Sequence, residues 1–295
     1  MAYGTPERAE DLEAYYTDIR RGRPPTPEQL ADLRRRYDAI GGISPLAART
    51  RAQAAGLQRA LDEQDPGRFL VELGLKHASP SVEDGARALV EAGCQETTTL
   101  VLAPHYSELS VRQYIDRAEA VFKASGEATG NSAVYSWHLE EGLIELLSER
   151  VLDAMARLPP GLRRVEVLVT AHSLPARVIE MGDPYPKQLA ETGEAIAKRA
   201  GLKHWRLGWQ SAGRTPEPWL GPDILQVLRS LPAEGVDGVV VCPAGFTSDH
   251  LEVLYDVDIE ARAVADEVGI ALERTASLND DPRFLQVLAG VVRAG

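Results

Sequence analysis

The sequence has little cysteine, no long apolar run and fewer basic than acidic residues. Only Cys94 and Cys242 occur in 295 residues, far apart and each in or beside an apolar stretch. Two isolated thiols exclude an iron–sulfur centre and a cysteine-based zinc site, and they read as small buried residues of a reducing compartment. No stretch approaches the ~18–20 apolar residues of a membrane span. No signal-peptide pattern opens the sequence, so the expected location is the cytoplasm. Lysine and arginine total 32 against 44 aspartates and glutamates, a formal charge of −12 that argues against a general nucleic-acid binder.

What is present is an alternation of short apolar runs with amphipathic stretches. The runs that read as strands are FLVELGL (69–75), TTTLVLAP (97–104), RVEVLVTAHS (164–173), HWRLGWQ (204–210) and GVVVCPAGF (238–246), with AVYSW (133–137) as a shorter candidate. Between them lie stretches of helical pattern such as TPEQLADLRRRYDAI and DPYPKQLAETGEAIAKRAG. Two-sided apolar strands alternating with helices predict an α/β fold with parallel sheets covered by helices. In such sheets ligands bind where the strands end. The polar oddities fall there: YGTPE (3–7), APHYSELS (103–110), AHSLP (171–175), WQSAGRTPEPWLGP (209–222) and PAGFTSDH (243–250).

LVLAPHYSELSVRQYIDRAEA and VVVCPAGFTSDHLEVLYDVDIEA share a strand, a proline, an aromatic, a serine and an acid-rich helix, a faint internal repeat. The repeat predicts two similar halves, 1–158 and 159–295, joined near LPPGLRR, with a cleft between them and a C-terminal helix that packs across both. The first half opens on a post-strand loop with no strand before it, so the chain is expected to be trimmed upstream or to lack its first strand.

A probable helix after GVVVC carries Asp249, His250, Glu252, Asp256, Asp258 and Glu260. Steps of four residues turn an α-helix about 40° past a full circle, so Glu252, Asp256 and Glu260 lie on one slowly winding stripe. Two readings are open: a solvated acidic face, or a path of oxygen ligands for a hydrated divalent cation. The interleaved Leu251, Val253, Leu254, Tyr255, Val257 and Ile259 favour a cleft wall. His172 follows the strand VEVLVTA directly. It is either a hydrogen-bonded structural residue or, paired with Glu252, a ligand and proton acceptor near neutral pH.

The segments MAYGTPERAEDLEAYYTDIRRGRPPTPEQL, RRRYDAIGGISPL, LGLKH, LVLAPHYSELSVRQY, AHSLP, GDPYPKQL, WQSAGRTPEPWLGPDI and FTSDHLEVLYDVDIE resemble a ferrochelatase, collinearly over essentially the whole chain. Within that family the resemblance is to the soluble bacterial branch that makes coproheme from coproporphyrin III. It implies two Rossmann-like, chelatase-type domains around a porphyrin cleft, Fe²⁺ as substrate, no tightly bound cofactor and no iron–sulfur cluster. His172 would accept the pyrrole protons and bind metal, with Glu252 as its carboxylate partner. Asp256 and Glu260 would extend the metal path on a helix wound in part as a π-helix. Tyr3 would face the iron from the other side of the ring, and Arg20, Arg21, Arg36, Ser44 and Tyr114 would hold propionates. The implied protein is a monomer that hands coproheme to a later enzyme of the pathway.

The chemistry fits these residues. A free-base porphyrin must shed two N–H protons, and a cleft that bends the ring exposes its nitrogen lone pairs. A neutral imidazole takes protons without holding a fixed positive charge before the metal. The run RRGR (20–23) reads as an exposed helix end or as partners for propionates. Alternatives are insertion into protoporphyrin IX, a cobalt or nickel chelatase of the same fold, and a non-catalytic tetrapyrrole or metal carrier. His77, His138 and His204 read as structural, with the roles of His105 and His250 open.

Overall fold

The computed structural model describes residues 1–125, 130–213 and 215–295. Among these, six strands form two parallel sheets. β1 (Glu96–Leu100) pairs with β2 (Gly130–Val134), and β3 (Val165–His172), β4 (Trp205–Gln210), β5 (Gly238–Cys242) and β6 (Ala271–Arg274) form a second sheet in the order β4-β3-β5-β6. β3 and β5 are the central strands; β5 is buried throughout and apolar throughout, and β3 is apolar over Val167–Val169 with the buried Glu166 and Thr170 on either side.

Helices fill the connections as the patterns predict. Helix Pro27–Ala39 starts at Thr26, whose side chain accepts from the Gln29 N–H while the Gln29 side chain accepts from the Thr26 N–H. Helix Tyr185–Ala200 stops at Gly201, which takes the left-handed conformation that residue adopts freely. No helix among the described residues is long and apolar enough to cross a membrane.

One apolar core joins the two sheets. Leu61, Leu100 and Trp137 belong to the same cluster as Val167, Val240 and the wholly buried Phe284 of helix Pro282–Ala294. That last helix fits against the earlier part of the chain because two neighbours lack side chains. A Cβ on Gly56 would lie 2.1 Å from Leu285 Cδ1, and one on Gly142 would lie 2.6 Å from Val287 Cγ2.

The structure departs from the sequence reading, or adds to it, at four places. Residues 69–75 are extended but form no strand: only Leu75 is bridged, to Ala2 and Ser81. Before the Tyr3 loop Ala2 bridges Leu75, and Met1 bonds the main chain of Leu100 and Leu102. β6, in the charged sequence ALER, carries too few apolar residues to stand out and gains its place by pairing with β5. Asp249 and His250 precede their helix, which begins at Leu251.

The loop after β5 turns back onto the end of β3, where Gly245 N–H donates to Thr170 C=O at 3.0 Å. A Cβ on Gly245 would stand 2.5 Å from Ala171 Cβ and 2.9 Å from its Cα. Gly245→Ala is therefore expected to lower stability by about 1–3 kcal/mol through overpacking. Gly290→Ala, in a helix with nothing near the new methyl, should raise it by about 0.5–1 kcal/mol. Urea melts of the two variants test this pair of opposite signs.

Candidate active site

The ends of β3, β4 and β5 converge on a cleft of about 520 Å³. Its floor holds His172, at the last position of β3 and paired in register with Gln210 of β4. Gln210 accepts from the Thr170 hydroxyl at 2.8 Å and donates to Glu252 C=O at 2.9 Å, which ties the sheet to the acidic helix. The His172 ring lies parallel to Trp219, 8° between planes and 6.4 Å between centroids. Tyr185 donates its hydroxyl to the His172 carbonyl at 3.0 Å. Among the described residues the Nδ1 atom of His172 is buried without a hydrogen-bond partner, so Nε2 is the ring nitrogen turned to the cleft.

Glu252 stands between two imidazoles. Its Oε1 is 4.0 Å from His172 Nε2, and its Oε2 is 3.7 Å from His250 Nε2. Burial by itself raises this carboxyl, but the nearby His172, then His250 and Arg36, overcome that and hold it down to about 2. His250 moves the other way. Burial opposes its charge, yet the bond and charge of Glu252, with the Ser248 carbonyl that accepts from Nδ1 at 2.8 Å, raise it above the ordinary histidine value. The result is an ionised carboxylate on the floor of a half-open cleft.

The acidic helix divides its charges by direction. Helix Leu251–Leu254 runs into a π-helix, Asp256–Ala261, before the α-helix Arg262–Val268. An i→i+5 closure takes more residues per turn, so four-residue steps no longer overshoot a full circle, and Glu252, Asp256 and Glu260 all remain on the cleft wall. Asp258 faces elsewhere, in a two-pronged pair with Arg274 at 2.6 and 2.9 Å. Asp249 also turns away, to Ser277 at 2.6 Å and Asn279 at 2.8 Å. Asp256 is held by Arg36 and by the Ser211 hydroxyl. Burial still dominates, and with the Glu252 charge it lifts the Asp256 carboxyl to about 6. Among the described residues no three His, Cys, Asp or Glu side chains gather closely enough to hold a metal ion by themselves. A cation on this wall would meet protein donors singly or in pairs.

Tyr3, Ser44 and Tyr114 also line the cleft. Tyr3 leans on His77, 4.7 Å between centroids, and burial followed by the Glu252 charge pushes its phenol upward. Arg36 lines the cleft too, already engaged by Asp256 and lying 4.8 Å over the Tyr255 ring. Arg20 and Arg21 do not line it: they cap the end of helix Leu12–Ile19, with Arg20 bonded to the Arg23 carbonyl at 3.2 Å and 5.6 Å over the Tyr16 ring. Sequence reasoning left His250 undecided and missed Ser211, which departs from the regular backbone at φ 61. Tyr185, at the start of helix Tyr185–Ala200, and Trp219, in the segment after β4, are the supports of His172; Arg214 lies outside the described residues. His105 is buried at the cleft wall, where desolvation and then His138 lower it to about 3, and its Nε2 meets the Thr192 hydroxyl at 2.8 Å.

Comparison with known proteins agrees with this geometry. The family model described as ferrochelatase matches residues 1–295. A coproporphyrin III ferrochelatase of Anoxybacillus flavithermus is 51% identical over 99% of this chain and 93% of its own length. The enzyme of that name from Listeria monocytogenes is 46% identical over 99% of this chain and 95% of its own. Among solved structures, SirB from Bacillus subtilis with Fe³⁺ superposes with a TM-score of 0.60 at 15% identity, covering 83% of this chain and 88% of that one, a likeness of fold. With the whole chain matched and half its residues shared with such relatives, this protein belongs to the ferrochelatase family.

Proposed function

We propose that the protein inserts Fe²⁺ into coproporphyrin III to give coproheme, a lyase reaction of heme biosynthesis. The observation that carries this reading is the ionised Glu252 set between His172 and His250 on the floor of a cleft large enough for a flat ring, with Tyr3 also on its lining. The names of the relatives at 46–51% identity support coproporphyrin as the ring and iron as the metal. The two halves, 1–158 and 159–295, act as jaws of one cleft. The protein works as a cytoplasmic monomer without a resident cofactor and passes coproheme to a later enzyme.

The steps follow from the residues. The ring enters with its pyrrole N–H groups toward His172 Nε2, which takes one proton, releases it to solvent and then takes the second. Two unit charges 4 Å apart attract by about 4 kcal/mol at an effective dielectric of ~20 and about 1 kcal/mol in water. The half-open site lies between these limits, so Glu252 offsets the imidazolium by about 1–4 kcal/mol. Fe²⁺ approaches along Glu260, Asp256 and Glu252, trading water for carboxylate oxygen before it reaches the ring nitrogens. Propionates lie toward Ser44, Tyr114 and Arg36, with Arg20 and Arg21 reaching in from the rim. Arg36 would leave Asp256 to do so, which frees that carboxylate for the metal.

The deciding experiment is anaerobic insertion of Fe²⁺ with coproporphyrin III and protoporphyrin IX side by side. Faster turnover of protoporphyrin would overturn the substrate, insertion of cobalt or nickel alone would point to the other chelatases, and binding without turnover would leave a carrier.

Three variants test the assignments. His172→Ala is expected to lose at least about 100-fold in insertion rate while still binding porphyrin; a rate within about threefold of the parent removes His172 as the base. Asp256 binds a cation only when ionised, so insertion should fall as pH drops through about 6. That acid limb should shift in Asp256→Asn, and an identical pH profile would remove Asp256 from the metal path. Tyr3→Phe should keep most insertion activity but alter the absorption spectrum of the ferric coproheme complex, because a phenolate oxygen suits ferric iron. An unchanged spectrum would leave Tyr3 as a packing residue.

A further inference from the structure

The segment between β5 and the acidic helix has no regular structure, yet it decides where His250 and Glu252 stand. A grip on it comes from Asn279, in the segment 275–281 that joins β6 to the last helix. Asn279 N–H donates to Thr247 C=O at 2.8 Å, and its side-chain Oδ1 accepts from Asp249 N–H at 2.9 Å. These two bonds straddle Ser248. The Ser248 carbonyl in turn accepts from His250 Nδ1 at 2.8 Å, which aims His250 Nε2 at Glu252 Oε2, 3.7 Å away. Position thus passes from Asn279, through the main chain of 247–249, to an imidazole beside Glu252.

Asn279 meets three demands at once. Its backbone is left-handed, with φ 48, a region that asparagine enters more readily than most residues with a side chain. Its side-chain oxygen accepts from Asp249 N–H, and its side-chain nitrogen donates to Asp249 Oδ2 at 2.8 Å. Glycine would meet the first demand only. Asn279 is itself anchored from the earlier part of the chain. The buried Gln53, in helix Leu46–Asp62, donates its amide to Asn279 C=O at 2.9 Å and reaches Thr247 C=O at 3.4 Å. One amide therefore spans both partners of the Asn279–Thr247 bond. Ser277 donates to the other Asp249 oxygen at 2.6 Å. An error of about 1 Å in a positioned group can cost about 100-fold in rate, which is what such rigidity prevents.

We propose that Asn279 is a positioning residue of this site, setting His250 Nε2 against Glu252 by gripping the main chain on both sides of Ser248. The role in the reaction rests on the reading of Glu252 as the carboxylate of metal insertion. Asn279 does not line the cleft, so it acts only through the segment it holds. Without its side chain the Ser248 carbonyl is free to turn, His250 loses the partner of its Nδ1, and Nε2 drifts from Glu252. The step that needs Glu252 beside its imidazole slows, while the walls that bind the ring stay as they are.

Asn279→Gly keeps the left-handed turn at no steric cost and removes both side-chain bonds. Its kcat for Fe²⁺ insertion into coproporphyrin III should fall at least about tenfold while KM for the porphyrin stays within about twofold. Arg150→Ala is the control for loosening alone. Arg150 holds the same 275–281 segment through Asp281 at 2.7 Å and Ala276 C=O at 3.0 Å, and among the described residues it makes no bond to 247–249. It should lower Tm as Asn279→Gly does and leave kcat within about twofold. Parental kcat in Asn279→Gly, or an equal loss in both variants, overturns the role in the reaction. A second readout needs no turnover. The ¹⁵N signals of the His250 imidazole, identified by their loss in His250→Ala, should move in Asn279→Gly and stay in Arg150→Ala. Unmoved signals overturn the proposal, whereas moved signals in a protein that inserts no iron would uphold the positioning and overturn the insertion reading instead.

Discussion

The site depends on keeping one carboxylate charged where burial disfavours charge. Glu252 stays ionised only because two imidazoles and an arginine surround it, and each of these is fixed by something else. His172 is set by strand register and by the Trp219 and Tyr185 supports, His250 by the Ser248 carbonyl, Arg36 by Asp256. Asp256, only a turn away, is pushed upward instead, since burial and the Glu252 charge act together there. Neighbouring carboxylates of the acidic stripe are thus pushed in opposite directions, Glu252 down to about 2 and Asp256 up to about 6. On the proposed metal path Glu252 would be the fixed end and Asp256 the switchable middle.

Stability follows the same signs. Glu252 contributes stability above its ordinary value of 4.5 and loses it as pH falls toward 2. Asp256, raised from 3.8 to about 6, makes the folded state hold a proton that the unfolded chain has released, so its contribution weakens as pH rises between those values. The two slopes oppose each other only between 3.8 and 4.5; above that window Asp256 acts alone and below it Glu252 does.

Much of the architecture was legible because the physics that forms it is local. The apolar runs of β3 and β5 announce buried parallel strands, and the Thr26–Gln29 pattern announces a helix start. The stripe Glu252, Asp256, Glu260 and the mouth position of His172 were equally readable. What escaped rests on contacts distant in sequence. β6 exists through its pairing with β5, residues 69–75 stay out of a sheet for want of a neighbour, and Trp219 supports His172 from 47 positions away. No local signal shows that Asp258 and Asp249 belong to Arg274 while their neighbours line the cleft.

The shared core has a mechanical consequence. Jaws joined by a thin linker can swing apart on a hinge, and bound ligand then adapts to a moving enclosure. Here Phe284 sits in one apolar mass with residues from both sheets, and Gly56 and Gly142 let the last helix lie flush against the opposite layer. The walls are joined by one core rather than by a hinge. In the proposed reaction a planar guest gripped between them would be the softer body, and the one to bend.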